Sequence, residues 1–142
     1  MEHIIKQIYR QARLLGACHL FTGKERTLED IVRLFTTPQG IEFCAGKHFP
    51  NMATFRLFKP HNVERFGIYI DAGTITLNNP ERAIVIGRTS AIINCDTLAS
   101  HEVILLHGAK AVVNASGWAV CVTTVETGCH IIRNVSENAV VL

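Results

Sequence analysis

Between Glu2 and Leu15 the apolar residues Ile5, Ile8, Ala12 and Leu15 recur at three and four positions, while Lys6, Arg10 and Arg13 fall elsewhere. This spacing predicts an amphipathic helix, with Gly16 as its stop. Thr27 is placed to cap a second helix over Leu28–Phe35, with Asp30 at the capping-box position and Glu29 beside it, where carboxylates favour the helix dipole. Thr37-Pro38 repeats the start signal and predicts a third helix from Gln39 to Ala45 that stops at Gly46. Asn51 can cap a short turn carrying Phe55 and Phe58. The first part of the chain thus reads as a small helical lobe with an aromatic core.

The pattern then changes from helical to strand-like. Gly67-Ile68-Tyr69-Ile70-Asp71 and Thr74-Ile75-Thr76-Leu77 are strand segments separated by Ala72-Gly73. From Ala83 onward, Ala83-Ile84-Val85, Ala91-Ile92-Ile93, Ala111-Val112-Val113, Ala119-Val120-Cys121 and Ala139-Val140-Val141 start at successive offsets of 8, 20, 8 and 20. The sum is a period of 28, and sliding by 28 also brings Val103-Ile104 onto Ile131-Ile132. A period of this size points to a solenoid. The expected fold is α+β: a helical lobe over residues 1–60 capping a short β-solenoid over 61–142, with three short strands per coil of about 28 residues. Parallel crossovers prefer the right hand, and the coil is expected to follow. Ala83, Val85, Ala111, Val113, Ala139 and Val141 mark the face turned inward. The competing architecture is an antiparallel β-sandwich with N-terminal helices.

Composition sharpens the boundary. All seven Phe lie at or before Phe66 and no Pro follows Pro80. Residues 1–66 carry 10 Lys and Arg against 6 Asp and Glu, and residues 67–142 carry 4 against 6. The whole chain has a net charge of only +2, which does not ask for a nucleic-acid or membrane partner. Arg10, Arg13, Lys24, Arg26 and Arg33 read as dispersed surface charge rather than as a nucleic-acid patch. The N-terminus has no signal-peptide pattern and no apolar run approaches the length of a membrane span, so a cytoplasmic location is expected. Five cysteines without regular spacing fit reduced thiols. Asn114-Ala115-Ser116 and Asn134-Val135-Ser136 match the glycosylation triplet, but without an export signal they read as chance matches.

Candidate chemistry is sparse. Cys18, His19, Cys44 and His48 are a conceivable zinc set, although adjacent residues rarely share one ion and small core cysteines explain the pattern as well; no metal or other cofactor is expected. His101-Glu102 and Cys129-His130 fall one such period apart, so a three-strand coil would stack them at one corner as a ligand or Cys/His site, or simply as solvent-facing residues. Trp118, the only Trp, is either a partly buried residue or an exposed anchor for a partner. His101, His107, Trp118, Cys129 and His130 are therefore the candidate ligand residues. The phosphate-loop, dinucleotide, zincin and paired-carboxylate motifs are absent, which argues against a familiar enzyme class.

The order of Gly16-Ala17-Cys18, Thr27-Leu28-Glu29-Asp30, Phe43-Cys44, Phe49-Pro50, Gly67-Ile68-Tyr69-Ile70-Asp71 and Asn79-Pro80, followed by short Ala/Val strands, resembles a group of small proteins encoded by gut bacteria, their prophages and mobile elements. The resemblance spans most of the chain. It implies the same layout and a phage or mobile-element setting, and carries over no activity or site residue.

These readings converge on a non-enzymatic binding or assembly module. Its last strand, Ala139-Val140-Val141-Leu142, is the expected contact for a homo-oligomer or another protein partner. The alternative is a protein that sequesters a small molecule or nucleotide.

Overall fold

The structure is a computed structural model that describes residues 2–16 and 23–142. The chain divides into two compact units, Met1–His61 and Asn62–Leu142. Among the described residues the first unit holds α1 (Glu2–Leu14), α2 (Leu28–Phe35), α3 (Pro38–Lys47) and α4 (Met52–Phe58).

The starts of α2, α3 and α4 follow their capping residues. Thr27 Oγ1 accepts the Asp30 N–H at 3.2 Å while Asp30 Oδ2 accepts those of Thr27 and Arg26, at 3.1 and 3.0 Å. These backbone donors, Arg26 first, hold the Asp30 carboxyl below its usual range. Thr37 Oγ1 caps α3 through Gly40, and Asn51 Oδ1 caps α4 through Thr54. The stop of α3 differs from expectation: Gly46 lies inside the helix, and the chain leaves it at His48 in a left-handed conformation. Ile4, Ile5, Ile8 and Ala12 of α1 are buried, as are Ile31, Ile41, Cys44, Phe55 and Phe58. Phe49 is the aromatic centre, edge-to-face with Phe35 and Phe43 at 5.8 and 5.3 Å.

The second unit contains β1 (Ile68–Ile70), β2 (Gly73–Asn78), β3 (Arg82–Ile86), β4 (Thr89–Cys95), β5 (Ser100–Leu106), β6 (Lys110–Ala115), β7 (Val120–Val125), β8 (His130–Val135) and β9 (Val140–Val141). They form two sheets in the orders β1-β3-β5-β7-β9 and β2-β4-β6-β8. Every strand pair is parallel, which excludes the antiparallel sandwich. Consecutive strands alternate between the sheets, so the chain winds as a β-solenoid of about four turns, and N-terminal helices plus a β-solenoid is the α+β layout expected from the sequence.

The coil itself is corrected. It has two strands rather than three, and its period is 20 rather than 28: Ala83 pairs with Val103 and Val103 with Thr123. The first coil is shorter, since Ile68 pairs with Ile84 and Gly73 with Thr89. The match at 28 is one full coil plus the step of 8 that carries the chain from one sheet to the other. It superposes Ala83 of β3 on Ala111 of β6, which lie in opposite sheets. Both sheets need small and β-branched residues facing the same narrow interior, so the diagonal match looks better than the true vertical one, Ala83–Val103–Thr123.

The interior is filled by Ala83, Val85, Ala91, Ile93, Val103, Leu105, Ala111, Val113 and Cys121, which bears out the inward face read from Ala83, Val85, Ala111 and Val113. Each fully buried Val, Ile or Leu contributes roughly 1.5–3 kcal/mol. Alanine at 83, 91 and 111 leaves room for the larger side chains opposite, as dense packing requires. The opposite faces of β3 and β5 are apolar as well, and Ile84, Ile86, Ile104 and Leu106 are buried. The corners are tied by polar side chains reaching from one coil to the next. Asp71 Oδ1 accepts the Arg88 N–H, Asn79 Oδ1 that of Asp96, and Glu126 Oε1 that of His107, each at 2.8 Å. Asp71, Asn79 and His107 themselves take left-handed conformations to turn the corner.

Candidate binding groove on the four-stranded sheet

Strand alternation decides which side chains the four-stranded sheet offers outward. In β4, Ala91, Ile93 and Cys95 point inward, and Ser90, Ile92 and Asn94 point out. Parallel register then stacks like on like. Asn78, Asn94, Asn114 and Asn134 occupy one column of the outer face. Asn94 Nδ2 donates to Asn78 Oδ1 at 3.0 Å, Asn114 Nδ2 to Asn94 Oδ1 at 3.0 Å, and Asn134 Nδ2 to Asn114 Oδ1 at 2.9 Å. Within the ladder, Asn94 and Asn114 each spend one N–H and one lone pair on their neighbours and keep a second of each for other partners.

Beside the ladder the chain turns into the next coil, and Asp96, Ser116 and Ser136 recur there once per coil. The turn is held by backbone bonds from Ser116 N–H to the Cys95 carbonyl and from Ser136 N–H to the Ala115 carbonyl, at 2.9 and 3.0 Å. Asp96 Oδ1 accepts from Asn79 Nδ2 at 2.8 Å. Together Asn94, Asp96, Asn114, Ser116, Asn134 and Arg133 line an open groove of about 630 Å³. Trp118 follows two positions after Ser116 in the same turn and is 63% exposed; Leu98, one coil earlier at the matching position, is 84% exposed.

The candidate ligand residues do not meet at one corner. His101 pairs with Cys121, not with Cys129, because one coil advances the chain by 20 positions and not by 28. His101 and Trp118 lie where the chain passes from the four-stranded to the five-stranded sheet; His107, Cys129 and His130 lie where it passes back. The length of a strand, about 20 Å, separates the two corners. His101 is buried with both ring nitrogens engaged, Nδ1 2.7 Å from the Pro80 carbonyl oxygen and Nε2 3.2 Å from Thr97 Oγ1. Its role is to pin the β4–β5 loop. His130 is exposed on the outer face of β8, in the column of Lys110. Of the candidate interface residues, Ala139 is buried, Val140 and Leu142 are exposed, and Val141 packs against the interior cluster.

The thiols of Cys95, Cys121 and Cys129 are not poised for nucleophilic chemistry. Burial pushes the Cys121 thiol up to about 12, with the neighbouring Cys95 adding to the effect. Burial also raises the Cys95 and Cys129 thiols. Cys44 is a buried member of the helical core, while Cys18 and His19 lie outside the described residues. Among the described residues no three His, Cys, Asp or Glu side chains are grouped to hold a metal ion. No helix among them is long and apolar enough to cross a membrane.

No family model, curated protein or solved structure matches this chain.

The Asn column is what sequence reasoning missed. Its signal is present as Asn at 78, 94, 114 and 134, at spacings of 16, 20 and 20, the same intervals as the coils. Two of these residues also begin glycosylation triplets, which hides their kinship with the other two. Without the true period nothing connects the four.

Proposed function

We propose that this protein is a non-enzymatic binding and assembly module that self-associates through the edge of its last described coil, β8 and β9. The observation that carries this reading is the unpaired backbone along that edge. His130 and Ser136 send their N–H groups to carbonyls of the preceding coil, at 3.2 and 3.0 Å. In a parallel strand the alternate groups, those of Ile131, Arg133 and Val135, then point away from β6 and along the edge. Apolar surface accompanies them: Val135, Val140 and Leu142 are exposed among the described residues. Such an edge pairs readily with a second strand.

Arg133 qualifies the geometry of assembly. It occupies the inward column of Ile93 and Val113, where an identical coil stacked beneath would bury its charge. A two-fold pair in which each copy meets the same edge of the other would bring two such charges together, so Arg133 limits the strength of the contact.

Sedimentation velocity across a concentration series tests the reading. A dimer is expected, weakened at least tenfold by Val135→Pro, which removes an edge N–H while leaving the bonds to β6 in place. A strict monomer at about 100 μM, or a dimer indifferent to the proline, would remove it. The alternative, sequestration of a small molecule or nucleotide in a phage or mobile-element setting, has less support, because its corner residues are divided between two places.

A further inference from the structure

We propose that the groove along the Asn ladder is a binding site for a neutral saccharide chain running parallel to the solenoid axis. The inference does not rest on the assembly reading: the groove ends on β8, the strand at the open edge, but the inference is argued from the Asn column and its turns.

Three features select this ligand class. The first is the polar chemistry of the floor and wall. Asn94, Asn114 and Asn134 each retain a carboxamide N–H and a lone pair beyond those used in the ladder. Ser116 and Ser136 add hydroxyls, and Asp96 adds a carboxylate, within the same groove. A surface that offers donors and acceptors side by side suits vicinal hydroxyl groups, which need both.

The second is spacing. The groups recur once per coil, at the strand separation of about 4.8 Å, which is close to the advance of a linear saccharide per pyranose ring. Asn94, Asn114 and Asn134 span three coils, so the groove matches about three sugar rings. Its volume of about 630 Å³ falls within the range of small-molecule sites.

The third is an exposed aromatic on the turn that follows this polar wall. Trp118 stands on the same turn as Ser116 with most of its surface open, and Leu98 extends the apolar strip by one coil. A sugar ring has an apolar face of C–H groups and a polar rim; the carboxamide ladder meets the rim, and an exposed indole two positions along the turn from Ser116 offers a surface for the apolar face. Charge excludes the nearest competitor. Asp96 and Arg133 are the charged side chains lining the groove, one of each sign. A single-stranded nucleic acid would demand a surplus of cations along this track.

Trp118 is the only Trp in the chain, so intrinsic Trp fluorescence reports on this corner alone. The test is titration of the full chain with neutral trisaccharides of glucose, mannose and N-acetylglucosamine in different linkages, followed by Trp emission and by the side-chain amide resonances of Asn94, Asn114 and Asn134. The expected result is saturable binding of at least one of them at micromolar to millimolar concentration, with both probes moving together. Asn114→Ala is expected to weaken that binding at least tenfold by fluorescence. Trp118→Ala, at an exposed position, is expected to do the same by the amide resonances. Silence of both probes up to about 10 mM overturns the proposal. So does binding that survives Trp118→Ala unchanged, or a response to a dinucleotide in place of the saccharides.

Discussion

Arg133 Nη2 donates to Thr123 Oγ1 at 3.2 Å, carrying an exposed charged side chain from the four-stranded sheet to the five-stranded one at the end of the described coils. Thr123 Oγ1 in turn donates to the Leu142 carbonyl oxygen at 2.5 Å. The last described coil therefore closes its interior with polar groups where the coils before it use Val103 and Val113. Replacing Arg133 by Val restores the residue type of its own column and removes the charge that opposes the contact. Arg133→Val is expected to strengthen self-association, so that the dimer persists at lower concentration. Light scattering after size-exclusion chromatography reads the mass directly; an unchanged mass distribution would show that Arg133 does not limit assembly.

The Asn ladder makes a graded stability prediction. Asn114 takes part in two side-chain ladder bonds and Asn78 in one. A hydrogen bond of this kind contributes about 1 kcal/mol net. Asn114→Ala is expected to cost about 1–2 kcal/mol and Asn78→Ala about half as much, by urea unfolding. Equal costs would mean that the ladder bonds do not set the stability of the face.

Two glycines of α3 are expected to respond in opposite directions to alanine. A Cβ on Gly40 would stand 2.3 Å from the Leu34 carbonyl oxygen and 3.0 Å from Phe35 Cα, while a Cβ on Gly46 meets nothing within 4 Å. Alanine improves helix propensity by about 1 kcal/mol at either site. At Gly40 the clash with α2 backbone costs more, typically about 1–3 kcal/mol for overpacking and in this case with no flexible side-chain end that can move aside. Gly40→Ala should lower the melting temperature and Gly46→Ala should raise it; the same sign for both would contradict the close approach of α2 and α3.

The buried thiols predict a loss of stability in base. The folded-state pKa of Cys121 is raised to about 12 by burial, whereas an unfolded thiol ionises near ~8.5. The stabilisation is therefore fully present below the unfolded value. It falls as pH rises towards 12, because in that window only the unfolded chain gives up the proton, and the fall is about 1.4 kcal/mol per pH unit for one such thiol. Cys95 and Cys129 act in the same direction. Unfolding free energies at pH 8 and pH 10 (about two units apart) should differ, and Cys121→Ala should reduce the difference; a flat profile in the unmodified protein would refute the assignment.

The parts of the fold that depend on near neighbours were legible before any coordinates. Thr27 with Asp30, Thr37 with Pro38, and Asn51 with Thr54 act within a single helical turn, so the capping chemistry was readable from residues close in the chain. The inward face of the strands was readable for a similar reason, since alternation along one strand is a local property: Ala83 and Val85 are both buried. Even the stop of α3 failed by only two positions, the chain leaving the helix at His48 where Gly46 was the expected stop. The interval of 8 between Ala83 and Ala91 and that of 20 between Ala91 and Ala111 were both in view, yet their meanings were not. Which interval is a step between sheets and which is a step between coils depends on hydrogen bonds between strands a whole coil apart, and chain order does not carry those.

By itself, then, the amino-acid sequence determined the helical beginnings, the switch from helices to short β-branched strands, the repetitive character of the second unit and the side of each strand that turns inward. These follow from caps and periodicities that act over a few residues. Only the tertiary structure decided the length of the coil, the alternation of strands between two parallel sheets, and hence which side chains stack. That register brought Asn78, Asn94, Asn114 and Asn134 into one ladder and parted His101 from Cys129. The physical reason is that parallel pairing joins residues a whole coil apart. Changing the period from 28 to 20 exchanges every vertical neighbour while leaving each strand's own alternation intact.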